Sequence, residues 1–123
     1  MITPRSQPEP GQVLVLGWEL RCIDPDVNAN KFYRLMLSGS LLVINYGPNG
    51  RVGQIKIHLH ENFKAAKLFA LNMTASKERG GYYLHQRLTA FYVSHTAVQA
   101  CRAPAQAKNS ALVIARAFLE ACR

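Results

Sequence analysis

The alternation of apolar and polar residues predicts a sheet in the first half of the chain. Four stretches have the composition or the alternation of strands and are separated by turn residues: 12–23, 31–37, 41–46 and 51–60. The first stretch is one strand, or two strands broken at Gly17. The last stretch has one apolar side and one side with Lys56 and His58, as expected for an antiparallel sheet that is wet on one face.

Apolar residues at helical spacing predict helices further along the chain. Asn62 is suited to cap a helix from Phe63 to about Ser76, with a core stripe of Phe63, Ala66, Ala70 and Met73, and Phe69 beside it. Residues 82–88 fit a strand or a loop, and residues 88–100 mix helical and strand signals, of which we favour the helix. The alanine-rich segment 107–122 predicts a helix that is apolar around much of its circumference, so we expect it to be packed or oligomeric.

The chain has a strongly basic charge balance. Fifteen Lys and Arg face seven Asp and Glu, which gives a net charge of +8 and a pI near 9.8. Such a surface attracts polyanions, either nucleic acid or anionic lipid, although it also keeps a protein soluble. Apolar residues make up 49% of the chain and charged residues 18%, which is typical of a globular protein rather than a disordered one.

The cysteines predict a reducing compartment. Cys22, Cys101 and Cys122 are odd in number and lack metal-ligand spacing, so we expect free thiols and a cytoplasmic location. The apolar stretches are too short to span a bilayer, and no signal-peptide pattern is present, so we expect no membrane partner.

Two motifs and a helix end carry a family resemblance over residues 22–83. Residues 30–35 read N-K-F-Y-R-L, and residues 46–54 read Y-G-P-N-G-R-V-G-Q. They resemble the N-K-F-Y-x-L strand and the W-G-R-I-G-x-x-G-Q stretch of WGR domains, with Gly47, Gly50, Gly53 and Gln54 on matching positions. Lys77, Gly81 and Tyr82 match the family's K-x-x-x-G-Y helix end. The family's tryptophan is Tyr46 here and its arginine is Pro48, whereas a shifted alignment sets residues 49–51, N-G-R, on W-G-R.

The resemblance implies a fold, a partner and a division of the chain. WGR domains occur in bacterial proteins and in poly(ADP-ribose) polymerases, where they help to recognise DNA breaks. We therefore expect an α+β fold, with a small twisted antiparallel sheet, one packed helix and a C-terminal helical extension. The expected division is a disordered leader at 1–11, a WGR-like domain at 12–84, and an extension at 85–123 that packs on the domain or a partner.

The candidate site is a basic face beside a glycine-rich loop. Lys31, Arg34, Arg51, Lys56, Lys64 and Lys67 are candidates for phosphate contacts, the alternative being a solvated face without a partner. Tyr46 is suited to stack on a base or sugar, or to be a half-buried strand residue. The glycines open backbone amides to phosphate, or only form a hairpin loop. The full candidate set is Lys31, Arg34, Tyr46, Gly47, Gly50, Arg51, Gly53, Gln54, Lys56 and His58.

No pattern indicates catalysis or a cofactor. His58 and His60 share a strand face, but no third metal ligand stands at a diagnostic spacing. Phosphate-binding, nucleophile and dinucleotide motifs are missing from the sequence. The sequence thus predicts a non-enzymatic nucleic-acid-binding protein, with DNA favoured as its ligand. The alternative is a protein-interaction or regulatory subunit that forms a homodimer, or binds a protein partner, through residues 107–122.

Overall fold

The computed structural model of the chain describes residues 9–123. In this part of the chain, five strands and three helices follow one another, and a one-turn 3-10 helix at Pro25–Val27 joins the first two strands. Their bounds are β1 Gln12–Asp24, β2 Ala29–Ser38, β3 Leu41–Pro48, β4 Gln54–Leu59, α1 Phe63–Arg79, β5 Tyr83–Ser94, α2 His95–Ala100 and α3 Ala107–Ala121.

The strands form one antiparallel sheet with a helix on each face. The strand order is β4-β3-β2-β1-β5, so the chain builds a meander outwards from β1 and then returns to pair β5 with the free side of β1. Helix α1 packs on one face and helix α3 on the other. The predicted α+β class with an antiparallel sheet is therefore confirmed.

Helix α1 packs closely because its buried positions are small. Ala66 and Ala70 are fully buried against the sheet, and the indole Nε1 of Trp18 donates a hydrogen bond of 2.9 Å to Thr74 Oγ1. Asn62 caps the helix as predicted, because its Oδ1 accepts a hydrogen bond of 2.8 Å from the backbone of Ala65. One member of the predicted core stripe is not buried: Phe63, in the first turn, is 43% exposed.

Helix α3 packs on the opposite face, where a glycine makes room for it. Ile114, Ala115 and Phe118 are buried against this face. A Cβ atom on Gly17 would lie 2.5 Å from Cδ1 of Phe118, so only glycine allows this approach. Gly17 does not interrupt β1, which continues through it as a single strand.

The predicted helix over residues 88–100 is wrong for residues 88–94, and the helical extension does not begin at residue 85. Tyr83–Ser94 forms β5, whose Phe91 and Val93 enter the core. Pairing with β1 along the whole strand outweighs the local helical signals, as tertiary context often does. Only the short α2 is helical, and the hydroxyl of Ser94 caps it by accepting from the backbone of Thr96.

The predicted leader falls partly outside the described residues, which begin at residue 9. Its last residues form a turn rather than a disordered segment. The backbone of Gln12 donates to the carbonyl of Glu9, and the backbone of His95 donates to the carbonyl of Gly11 at 2.7 Å. The first bond closes the turn, and the second ties the start of β1 to the end of β5.

Candidate nucleic-acid interface

Three tyrosines meet on the sheet face that carries α1. Tyr33 of β2 lies in the middle, with its ring centroid 6.0 Å from that of Tyr46 and 6.2 Å from that of Tyr82. Antiparallel pairing sets Tyr33 directly opposite Tyr46, and paired residues share a face. Tyr33 is buried, while Tyr46 and Tyr82 keep part of their rings exposed.

Three lysines lie over these rings. The ammonium of Lys77 is 4.7 Å from the centroid of Tyr33, Lys56 is 5.5 Å from Tyr46, and Lys31 is 5.5 Å from Tyr82. Within residues 9–123, none of these ammonium groups is in an ion pair with a carboxylate. The tyrosine–lysine cluster (Tyr33, Tyr46, Tyr82, Lys31, Lys56 and Lys77) therefore presents uncompensated positive charge beside aromatic surface.

The end of α1 brings Lys77 and Tyr82 together. The backbone of Tyr82 donates to the carbonyl of Lys77 at 3.0 Å, and Gly81 has a φ of +102°. Together with the bond from Gly81 to Glu78, this closes the helix in the manner of a Schellman turn, which requires a residue that tolerates positive φ. The ammonium of Lys77 is then 5.6 Å from the Tyr82 ring.

The environment of Tyr33 keeps its hydroxyl protonated. Burial raises the pKa of Tyr33 to about 12, and the neighbouring phenols of Tyr46 and Tyr82 add to the rise. A neutral phenol within the cluster adds no negative charge that would repel a phosphate.

A hydrogen bond fixes the partly exposed ring of Tyr46. The hydroxyl of Tyr46 donates to Oε1 of Gln54 at 2.9 Å, across the β3–β4 pair. Gln54 is thus a positioning residue for the ring, and its own side chain is exposed at the start of β4.

A cleft opens beside the cluster. It has a volume of about 520 Å³ and is lined by the β1–β2 turn and the end of β3. Lys31, Tyr46 and Tyr82 of the cluster form part of its wall, with Asn28 and Asn30 of the turn also lining it. Ring faces, amide groups and an ammonium group therefore converge on one open concave surface, while Asp24 and Asp26 of the turn are not among its lining residues.

The glycines of the β3–β4 loop have mainly structural roles. A Cβ on Gly47 would lie 2.9 Å from the backbone of Gly53, and a Cβ on Gly53 would lie 2.6 Å from the carbonyl oxygen of Tyr46. Gly50 differs, since it has a φ of +85° at the open tip of the turn, next to the exposed Arg51. Gly47 and Gly53 thus allow close backbone approach within the hairpin, and Gly50 forms its turn.

The loop is anchored from both sides. The backbone and side-chain amides of Asn49 both donate to Asn30, at 3.0 and 2.7 Å. On the other face, Nδ2 of Asn45 donates to the carbonyls of Val52 and Gln54 at 2.9 and 3.1 Å. The loop that carries Arg51 is therefore held beside the cleft.

The prediction that Arg34 shares one basic face with Lys31 and Lys56 is wrong. Strand alternation turns Arg34 to the α3 face, where its Nε donates to Glu19 at 2.6 Å and its Nη1 to Asn45 at 2.9 Å. Glu19 also pairs with Arg21, and its side chain is only 2% exposed. Arg34 is thus held in a buried ion-pair network on the α3 face. The prediction grouped it with the lysines because it considered the charge of Arg34 without the face of the strand.

His58 lies on the α1 face but packs away from the cluster. Its ring centroid is 4.7 Å from that of Phe69 on α1, and the ring of His60 is 5.0 Å from the same phenylalanine. Burial lowers the pKa of His58, with further lowering by His60 and Lys56. A neutral His58 is therefore a packing residue. Two other predicted phosphate contacts, Lys64 and Lys67, are exposed in the first turns of α1.

Three members of the cluster were not among the predicted site residues. Tyr33 belongs to the alternating strand, and Lys77 and Tyr82 to the helix end quoted for the family resemblance. Their motifs were thus visible in the sequence, but these residues come close together only because α1 returns across the sheet. In the described residues, no group of three or more His, Cys, Asp or Glu side chains is placed to hold a metal ion.

The comparisons identify the family of the chain. A model of the WGR domain matches residues 18–91, more than half of the chain, and the protein therefore belongs to the WGR domain family, as the sequence motifs predicted. WGR domains are nucleic-acid-binding modules and are not themselves catalytic. The match ends in β5, so it includes all five strands in whole or in part.

A solved structure shows the same fold. The crystal structure of a protein from Bacteroides fragilis superposes with a TM-score of 0.53 at 23% identity. The match covers 56% of this chain but 19% of that protein, so the two share a fold over a small part of the larger molecule. No curated protein matches the chain. Among residues 9–123, no helix has the length and apolar character needed to cross a membrane.

Proposed function

We propose that this protein binds nucleic acid, with DNA as its preferred ligand, through the tyrosine–lysine cluster and the adjoining cleft, and that it does so without catalysis. The observation that carries the proposal is the set of three lysines over tyrosine rings, unpaired with carboxylates in the described part of the chain. Lysines supply phosphate contacts and aromatic rings supply stacking surface.

The net charge of +8 supports the same proposal, because it draws a polyanion towards the protein from a distance. The preference for DNA rests on the family resemblance, since WGR domains of poly(ADP-ribose) polymerases help to recognise DNA breaks. We also propose a cytoplasmic location, which is consistent with the three free cysteines, Cys22, Cys101 and Cys122.

A binding titration at several salt concentrations tests the proposal. Fluorescent duplex DNA, nicked duplex DNA, single-stranded DNA and RNA are titrated with the parent protein and with Lys31→Gln/Lys77→Gln. We expect the affinity of the double variant at low salt to be at least tenfold weaker than that of the parent. Its salt slope should be flatter by about two units, because each of the two lysines neutralises one phosphate in the parent.

A charge-matched control distinguishes binding at a defined site from attraction by the overall positive charge of the protein. Lys108→Gln/Arg116→Gln removes the same charge from exposed positions on α3, at the other face of the sheet. We expect this control to bind nearly as well as the parent. Equal losses of affinity in both double variants, or binding that does not depend on salt, would contradict the proposal, and tighter binding of RNA would contradict the preference for DNA.

A further inference from the structure

The sheet face that carries α1 is only partly covered. Helix α1 packs over the middle of the sheet, with Phe69 directed towards His58 of β4 and His60, which follows that strand. The outer strands of a five-stranded sheet lie about 19 Å apart. That width accommodates two helices packed side by side about 10 Å apart, whereas only α1 is present on this face of residues 9–123.

The uncovered half of this face is apolar. Pairing with β2 sets Leu16, Trp18 and Leu20 of β1 on the α1 side, and alternation adds Leu14. Pairing with β5 then sets Tyr92 and Leu84 on the same side. Leu14 is 45% exposed, and Leu84 and Leu88 are each 51% exposed. An apolar patch of this kind is typical of an interaction surface.

The near flank of α1 continues the patch. Thr74 faces Trp18 of β1, and helical spacing places Leu71 and Lys67 on the flank with Thr74, opposite Phe69. Leu71 is 50% exposed. The β1–β5 surface and this flank form a trough, which we name the β1–β5 trough: Leu14, Leu71, Leu84, Leu88 and Tyr92.

The border of the trough is basic. Lys67 and Lys64 are exposed on or near the α1 flank. Glu78 is the one carboxylate that helical spacing sets on this flank among the described residues of α1. A second copy of the chain would bring like charges together, and each copy carries a net charge of +8.

We infer that the β1–β5 trough docks an amphipathic helix of another polypeptide, with leucine-type side chains on one face and acidic residues on its flanks. The width of the uncovered sheet fits one helix, the apolar residues of the trough fit its apolar face, and the basic border fits its acidic flanks. This docking does not rest on the proposed nucleic-acid site, because the trough and the tyrosine–lysine cluster share no residue, although Tyr82 of the cluster directly precedes β5.

Synthetic helical peptides test the inference directly. The probe has leucines at positions i, i+3, i+4 and i+7 of each repeat and glutamates elsewhere, and a second peptide has lysines in place of the glutamates. Binding is measured by fluorescence anisotropy with the parent protein and with Leu84→Glu/Leu88→Glu. We expect the glutamate peptide to bind the parent at least tenfold more tightly than it binds the double variant or than the lysine peptide binds the parent.

Matched variants make the result decisive. Val113→Glu/Leu119→Glu introduces the same charge on exposed apolar positions of α3, and Lys31→Gln/Lys77→Gln alters the nucleic-acid site. We expect both to bind the peptide like the parent, with melting temperatures of all variants confirming the fold. The inference is overturned if the glutamate peptide does not bind, if the control variants weaken it equally, or if sedimentation shows that the trough instead joins two copies.

Discussion

The ammonium group of Lys77, in the last turns of α1, lies 4.7 Å from the centre of the Tyr33 ring in β2. The two residues are far apart in sequence, and the return of α1 across the sheet brings them together. This contact joins the helix end to the middle of the sheet, and it sets both side chains beside the cleft that we propose as the nucleic-acid site.

We expect Tyr33 to ionise at a higher pH than is ordinary for a tyrosine. Its pKa is raised to about 12 from 10.0, mainly because the ring is buried. The unfolded chain releases this proton near pH 10 and the folded chain retains it, so the free energy of unfolding falls as the pH rises between these two values. Ultraviolet absorbance of the five tyrosines against pH measures the effect.

Replacement by phenylalanine identifies the residue in that titration. Tyr33→Phe removes the late-titrating phenol, and we expect a flatter fall of stability above pH 10. Identical titration curves above pH 10 for the parent and Tyr33→Phe, apart from the loss of one phenol near pH 10, would contradict the buried environment of Tyr33.

We expect Arg34→Met to destabilise the protein without affecting phosphate contacts. The change leaves Glu19, which is 2% exposed, with Arg21 as its remaining cation, and it removes a donor to Asn45. The expected loss is about 2–4 kcal/mol in the free energy of unfolding, measured by urea denaturation. Arg21→Met, at a position that is 29% exposed, should cost less.

The salt dependence of DNA binding distinguishes a structural role of Arg34 from the phosphate contact that its charge suggested. If Arg34 is structural, the slope of affinity against salt is the same in the parent and in Arg34→Met at a temperature where both are folded. A stable Arg34→Met protein with a slope reduced by about one unit would instead indicate a phosphate contact.

We expect Gly17→Ala to destabilise the packing of α3 on β1. The added methyl group would lie 2.5 Å from Cδ1 of Phe118, which must move for the variant to fold. Overpacking of this kind costs about 1–3 kcal/mol in unfolding free energy. Phe118→Leu in the Gly17→Ala background should recover part of that loss, whereas equal stability of Gly17→Ala and the parent would show that α3 does not press closely on β1.

Local sequence patterns were sufficient to predict some of the strands and the start of α1. Alternation is sufficient for β4, an apolar run between turn residues is sufficient for β3, which is buried on both faces, and the Asn62 cap defines the start of α1. Strand β5 could not be predicted in this way. Its residues carry mixed helical and strand signals, and pairing with β1, which is distant in sequence, decides between them.

Only some residues of the candidate site could be predicted, because local patterns do not show which distant segments pack together. Lys31, Tyr46 and Lys56 stand on neighbouring strands of a hairpin series, so their proximity follows from the strand order. Lys77 and Tyr82 reach the site through the packing of a helix, which no local pattern encodes. Arg34 was misplaced because its charge was considered without its strand face.

In the ungapped alignment of the motif, Tyr46 falls on the family's tryptophan, and its replacement tests the role of the ring. If the ring stacks on a base or sugar, Tyr46→Ala should reduce affinity roughly tenfold or more, because such a stack contributes about 1–3 kcal/mol. Tyr46→Trp should preserve or increase affinity through its larger ring. Tyr46→Phe keeps the ring but removes the 2.9 Å hydrogen bond to Gln54, so a partial loss of affinity would measure the effect of that positioning bond.

Melting temperatures and Arg51→Ala distinguish stacking from the other roles of this region. Tyr46 is partly exposed, so its replacement should lower the melting temperature far less than a core truncation would. If the loop only holds phosphates, Arg51→Ala should weaken binding and Tyr46→Ala should not. If Tyr46 instead supports the fold, affinity and melting temperature should fall together in Tyr46→Ala. If a stable Tyr46→Ala protein binds every nucleic acid tested as tightly as the parent, stacking is excluded, because the variant lacks the ring that would stack.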